Sequence, residues 1–190
     1  MLAETPVNPR KRAAVVYDVG VAIDDLIAVF ARELVDGGAR VGGLFQLPRG
    51  DTGCGPFSPL RMCDAATGEV FAMCQRNGRD CRPDPTMMRR AAMLIRDAAQ
   101  SSVDLFFLGR FGSSEALGEG LLDSVTRAAL RDRAALTAVA RGQVDRWLSL
   151  GDGIGTLLDA RLWVLKDWWR GVAASGPTPV HRAATEQANA

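Results

Sequence analysis

The sequence contains two lysines (Lys11 and Lys166), one histidine (His181) and one tyrosine (Tyr17). A lone histidine beyond the last regular segment excludes Ser–His–Asp and Cys–His nucleophiles, which need an imidazole held beside the attacking atom. Acidic and basic residues nearly cancel, 22 against 23, for a net charge of +1. General nucleic-acid binders carry a clear basic excess, so no nucleic-acid partner is expected. No apolar run approaches the roughly 20 residues that span a bilayer, so no membrane association is expected. The stretch up to Arg12 lacks an apolar segment ahead of a small-residue cleavage site. It is not a secretory signal, and the expected location is the cytoplasm.

What is present suits one folded unit. Hydrophobic residues make up 47% of the 190 and charged residues 24%, a balance typical of a globular domain. A chain of this size buries roughly 70% of its extended surface, enough for a core without staples. The expected organisation is a flexible N-terminus over 1–12, one α/β domain over 13–173 and a disordered tail over 174–190, after Gly176-Pro-Thr-Pro179.

Residues 13–18 are a short apolar run that reads as a buried strand. Asp24-Asp25 offer helix-capping chemistry, and Leu26, Ile27, Phe30, Leu34 and Val35 follow at helical spacing up to Gly37-Gly38. A second strand spans 39–47, which completes a βαβ unit. Short strands near 60–64 and 69–74 form a hairpin within an insertion over about 48–82. Asp84 and Pro85 start a helix whose inward stripe is Met88, Ala91, Ala92, Ile95 and Ala99. Residues 103–109 are the clearest buried strand, followed by a loop over 110–114 and a helix over about 115–131. Residues 135–139 form another strand, and helical segments close the chain near 142–150, 153–159 and 160–173. Strands alternating with helices give a three-layer, mostly parallel sheet, which binds ligands beyond the carboxyl ends of its strands.

Two loops lie at those strand ends. The first, residues 17–25, sits where a phosphate-binding loop would be, yet Tyr17-Asp-Val-Gly-Val-Ala-Ile-Asp-Asp25 has one glycine and no Lys, Ser or Thr. A working P-loop needs backbone N–H groups, a lysine and a hydroxyl for phosphates and Mg²⁺. Asp24 and Asp25 instead would repel a triphosphate, or simply cap the helix. The second loop carries Arg110, Ser113, Ser114 and Glu115. Arg110 cannot bind Mg²⁺ but can grip an oxyanion through its fork; the plainer alternative is an ion pair with Glu115 or Glu119. Six arginines, Arg76, Arg79, Arg82, Arg89, Arg90 and Arg96, crowd one stretch, either as an anion-attracting rim or as a solvated helix face.

The cysteines, Cys54, Cys63, Cys74 and Cys81, are spaced C-x8-C-x10-C-x6-C without a C-x-x-C knuckle. They could ligate zinc or an iron–sulfur cluster if three or four converge; the alternative is plain thiols in a small sheet.

Tyr17-Asp18-x-Gly20, Gly42-Gly43-Leu44-x-Gln46, Cys81-Arg82-x-Asp84 and Arg110-Phe111-Gly112-x-x-Glu115-x-x-Gly118-x-Gly120-Leu121 together resemble the bacterial domain-of-unknown-function family 2478. The resemblance covers about residues 13–160. Gly109 departs from it where Asn is usual, Ser113 where Lys is common, and Pro83 interrupts a Cys-Arg-Leu-Asp run. The family is similar in layout to thermophile-type nucleoside-triphosphatases, and its genes often lie near molybdate-uptake genes. The resemblance implies a P-loop fold with degenerate Walker motifs. The strand-end loops and these motifs together make Tyr17, Asp18, Gly20, Asp24, Gln46, Arg82, Arg110 and Glu115 the expected ligand-binding residues.

The function expected is a non-hydrolytic ligand-binding or accessory protein. Its partner would be a small anionic ligand such as molybdate or tungstate, with no residue assigned a catalytic role. One alternative is a nucleoside-triphosphatase dependent on Glu115. A second is a metal or redox module on the cysteines. A third is an interaction scaffold, with homo-oligomerisation through a helix bearing Trp163, Trp168 and Trp169.

Overall fold

Ala13, Ala14, Val15 and Val16 are all buried, because the strand they form has helices or loops on both faces and other strands at both edges. In the computed structural model, residues 11–48, 60–77, 80–112, 115, 133–150 and 155–175 are described. The expected N-terminal arm, the tail beyond 175 and the helix after Glu115 lie outside them.

The elements in chain order are β1 (Arg12–Tyr17), α1 (Ile23–Asp36), β2 (Val41–Gln46), β3 (Arg61–Asp64), β4 (Val70–Ala72), β5 (Cys74–Asn77), β6 (Asp80–Pro83), α2 (Pro85–Gln100), β7 (Leu105–Phe111), β8 (Ala135–Ala140), α3 (Val144–Leu150), β9 (Thr156–Asp159) and α4 (Leu162–Ala174). A 3₁₀ turn, Arg141–Gln143, leads into α3.

Seven strands form one sheet in the order β4-β3-β2-β7-β8-β1-β9. The five from β2 to β9 run parallel, and β3 and β4 extend the β2 edge antiparallel. β5 and β6 make a separate antiparallel hairpin. Adjacent residues on β7 show the layering. Phe107 packs with Ile27 and Phe30 of α1 and Leu165 of α4, whereas Phe106 packs with Ala99 of α2. The fold is therefore the expected α/β, three-layer, mostly parallel sheet.

Local chemistry explains the helix ends. Asp84 caps α2 by accepting from the Thr86 backbone N–H at 2.8 Å, with Pro85 in the first turn. The expected hairpin is present, its Asp64 accepting from the Thr67 hydroxyl at 2.7 Å in the turn.

Three expectations are corrected. Arg110 and Phe111 belong to strand β7 rather than to a loop. Residues 156–159 form strand β9 rather than a helix, because they pair in parallel with β1 and bury Leu158; tertiary pairing overrides the local preference of a short Leu-rich segment. And α1 begins at Ile23 with no side-chain cap, so neither Asp24 nor Asp25 caps it.

A bulge in β7 governs the site. Phe107 pairs with Leu136, but Arg110 pairs with Ala138, so Leu108 and Gly109 together oppose Thr137. Gly109 has φ +68°, a left-handed conformation that glycine and asparagine adopt most readily. The extra residue reverses the alternation of side chains along the strand. It brings Arg110 to the face that Leu105, Phe107 and Ala138 share with α1.

Candidate functional site

The carboxyl ends of β1, β2, β7 and β8 converge beside the first turn of α1. Arg110 reaches across from the bulged strand and grips Asp24. Its Nε donates to Oδ1 at 2.8 Å and its Nη2 to Oδ2 at 2.6 Å, the bidentate geometry that suits a guanidinium and a carboxylate. Gln46, the last residue of β2, donates from Nε2 to Asp24 Oδ2 at 3.1 Å. The guanidinium also lies over the ring of Tyr17, 5.3 Å from its centroid, an additional cation–π contact. Nη1 is 3.5 Å from the Tyr17 hydroxyl, too long for a strong hydrogen bond.

Burial and charge oppose each other at Asp24, which is only 8% exposed. Desolvation pushes its pKa above the ordinary value of 3.8; the hydrogen bonds and charge of Arg110 and the amide of Gln46 pull it down, while neighbouring Asp25 pushes it up. The net direction is upward. Beneath the pair lies a cavity of about 10 Å³ lined by Phe45, Phe107, Gly109, Leu136 and Thr137, space for about one water.

A second ion pair flanks the first. Arg141, directly after β8, donates to Asp18 from Nε at 2.7 Å and from Nη2 at 3.0 Å. Both side chains are exposed, and the hydrogen bond from Arg141 holds the Asp18 carboxyl below its usual value. Between these pairs the β1–α1 loop turns through Gly20 at φ +93°.

The structure thus gathers Tyr17, Asp18, Gly20, Asp24, Gln46 and Arg110 at one edge. The partner of Arg110 is Asp24, not Glu115: the Glu115 carboxylate accepts from the Gly112 backbone N–H at 3.0 Å and closes the turn after β7. Glu119 and the side chain of Arg82 lie outside the described residues. Two contributors escaped sequence reading. Arg141 directly follows a buried strand, as Arg110 lies at the carboxyl end of one, and that shared position was the available signal. Thr137 donates to the Gly109 carbonyl at 3.1 Å across the bulge, a contact with no local sequence signature.

Of the four cysteines, the side chains of Cys63 and Cys74 are described. Cys63 is a buried free thiol on β3, raised above its ordinary pKa by burial and by the charge of Asp64. Cys74 is engaged in a disulfide and so offers no thiolate. Cys54 and the Cys81 side chain lie outside the described residues. Among the described residues no group of three His, Cys, Asp or Glu side chains is placed to hold a metal. Nor does any described helix have the length and apolarity to cross a membrane. Of the three tryptophans on α4, Trp163 is 64% exposed, whereas Trp168 and Trp169 pack against the core.

Comparison with known proteins agrees with the α/β fold. A family model described as "Protein of unknown function (DUF2478)" matches residues 12–168. The chain is 33% identical over 167 residues to the "Molybdenum import ATP-binding protein ModC 2" of Bradyrhizobium diazoefficiens, a match covering 86% of this chain and 18% of that protein. The chain therefore spans less than a fifth of the length of that relative. The solution structure of a human cancer-related nucleoside triphosphatase superimposes with a TM-score of 0.58 at 16% identity, covering 86% of this chain and 99% of the other. That likeness shows a shared α/β fold.

Proposed function

The chain belongs to the DUF2478 family, and we propose that it is a non-hydrolytic binding or accessory protein whose ligand is a small oxyanion such as molybdate. The observation that carries this reading is the Asp24–Arg110 pair. A nucleotide hydrolase of this fold needs a lysine and a hydroxyl on the β1–α1 loop and an acidic metal ligand at a neighbouring strand end. Here residues 18–22 contain neither lysine nor hydroxyl, the first turn of α1 carries Asp24 and Asp25, and the β7 end supplies Arg110. Such a loop is poorly suited to a triphosphate, but Arg110 and Arg141, each now paired with an aspartate, have forks that would suit a compact dianion on displacing that carboxylate, with the Tyr17 hydroxyl beside them. The name of the Bradyrhizobium relative, a molybdenum-import protein, makes molybdate the first ligand to test.

Titration calorimetry with molybdate, tungstate, sulfate and phosphate tests the reading. One tetrahedral oxyanion should bind with measurable heat, and Mg²⁺-ATP should release phosphate no faster than a buffer blank. Absence of heat at millimolar anion, with folded protein, would overturn it. A second reading, nucleoside-triphosphate hydrolysis, draws on the ATP-binding name of that relative and on the shared fold. It predicts Mg²⁺-dependent phosphate release that Glu115→Gln abolishes.

A further inference from the structure

The fork of Arg110 that would hold an oxyanion is already filled. Nε and Nη2 both donate to Asp24, and only Nη1 turns away, toward Tyr17. A tetrahedral oxyanion gains most from a guanidinium by taking both parallel N–H groups. To do so it must displace the Asp24 carboxylate. The displaced carboxylate stays on the buried first turn of α1, with the Gln46 amide as its remaining donor among the described contacts. Left ionised, it would be a buried charge stripped of its cation and facing a dianion, an arrangement that proteins avoid by neutralising the group.

From this geometry we infer that oxyanion binding at Arg110 is coupled to the uptake of one proton by Asp24, so that the carboxylate is an internal anion the ligand must discharge and replace. The inference rests on the oxyanion reading of the same site and adds its regulation. In balance, the ionised carboxylate leaves the guanidinium, takes one proton from solvent and becomes a neutral carboxyl, while the oxyanion takes both vacated N–H donors. The neutral carboxyl still accepts from Gln46, and its new O–H can donate to the anion.

The surroundings single out Asp24 as the group that titrates. Facing it are Asp25 on α1, Tyr17 on β1, Gln46 on β2, Arg110 on β7, and the uncharged Thr137 and Ala138 on β8. Asp18, on the adjoining loop, is held in its charged form by Arg141. Glu115 is turned to the Gly112 N–H. Burial already raises the proton affinity of Asp24 before Arg110 is withdrawn.

The test is calorimetric titration of the full chain with sodium molybdate at pH 6, 7 and 8, each in two buffers of different ionisation enthalpy. The expected result is uptake of about one proton per anion and an affinity about tenfold tighter for each unit the pH falls, as linkage requires for one coupled proton. Asp24→Asn should bind at least tenfold more tightly at pH 7, lose the pH slope and take up no proton. If the wild-type chain binds molybdate with a flat pH profile and no proton uptake, the coupling is overturned while the oxyanion reading stands. If neither the wild type nor a folded Asp24→Asn variant takes molybdate, tungstate or sulfate, the oxyanion reading fails and the coupling with it. The proton count is read on the wild type, so the coupling is tested even if the variant does not fold.

Discussion

The Thr137 hydroxyl donates to the Gly109 carbonyl at 3.1 Å, across the one place where β7 and β8 fall out of register. A bulge leaves a backbone carbonyl without its ladder partner, and here a side chain supplies the donor. The contact stabilises the bulge that aims Arg110 at α1.

Thr137→Val should therefore destabilise by about 1–2 kcal/mol, because a part-buried carbonyl loses its donor. Gly109→Ala should cost about 1 kcal/mol through its left-handed φ alone, since an added Cβ would meet nothing closer than 3.5 Å. Gly109→Asn should cost less than Gly109→Ala. Urea unfolding midpoints of the three variants check the order, and an alanine variant as stable as wild type would contradict it.

Gly43 and Gly155 separate a rigid obstacle from one that can yield. A Cβ on Gly43 would sit 2.2 Å from the Phe107 carbonyl oxygen, at φ +85°. Backbone strain and overpacking together should cost more than about 3 kcal/mol. A Cβ on Gly155 would also come within 2.2 Å of a neighbour, but that neighbour is the Trp147 ring, which can rotate, so about 1–2 kcal/mol is expected. Thermal melts should show the larger loss for Gly43→Ala.

Asp24 and Arg110 should be strongly coupled. In a double-mutant cycle of Asp24→Asn and Arg110→Gln, the coupling energy should be about 1–3 kcal/mol. The lower part of that range is expected because the Arg110 side chain is 34% exposed and solvent screens it. A coupling below about 0.5 kcal/mol would mean that the pair does not organise the site.

Two carboxylates should give opposite pH signatures. Asp104 accepts from Arg40 through Nη2 at 2.7 Å and through the backbone N–H at 2.9 Å, and these bonds hold its pKa below the ordinary 3.8. Its stabilising contribution is present above that value and fades as the pH falls through the lowered one. Asp24, raised by burial, contributes most when protonated, and that contribution is lost as the pH rises through its raised value. Hence Asp104→Asn should lose stability at pH 7 and converge on the wild type as the pH falls below about 4. Asp24→Asn should do best, relative to the wild type, at pH 7. Denaturant titrations across pH 3–8 would show whether the two trends diverge.

Much of the framework was legible without coordinates. The runs 13–18, 39–47, 103–109 and 135–139 read as buried strands because both sheet faces demand apolar residues. Asp84-Pro85 announced α2 because capping is local chemistry. Strand β9 was misread because four residues carry too little periodicity to separate helix from strand, and only its pairing with β1 decides the matter. The site was legible as a set of residues and not as a set of bonds. Arg110 stood out by its type and position, yet its partner lies 86 residues away, and the bulge that turns it toward α1 depends on β8 for its register.

The α/β layer structure and the absence of a lysine and hydroxyl on the β1–α1 loop could be read from the residues directly, because composition, periodicity and capping act over a few residues. That Asp24 turns inward to Arg110 and Gln46, and that Arg141 takes Asp18, follows from long-range packing. Those choices weigh desolvation against ion pairing, and that balance exists only once distant strand ends have been brought within 3 Å of one another.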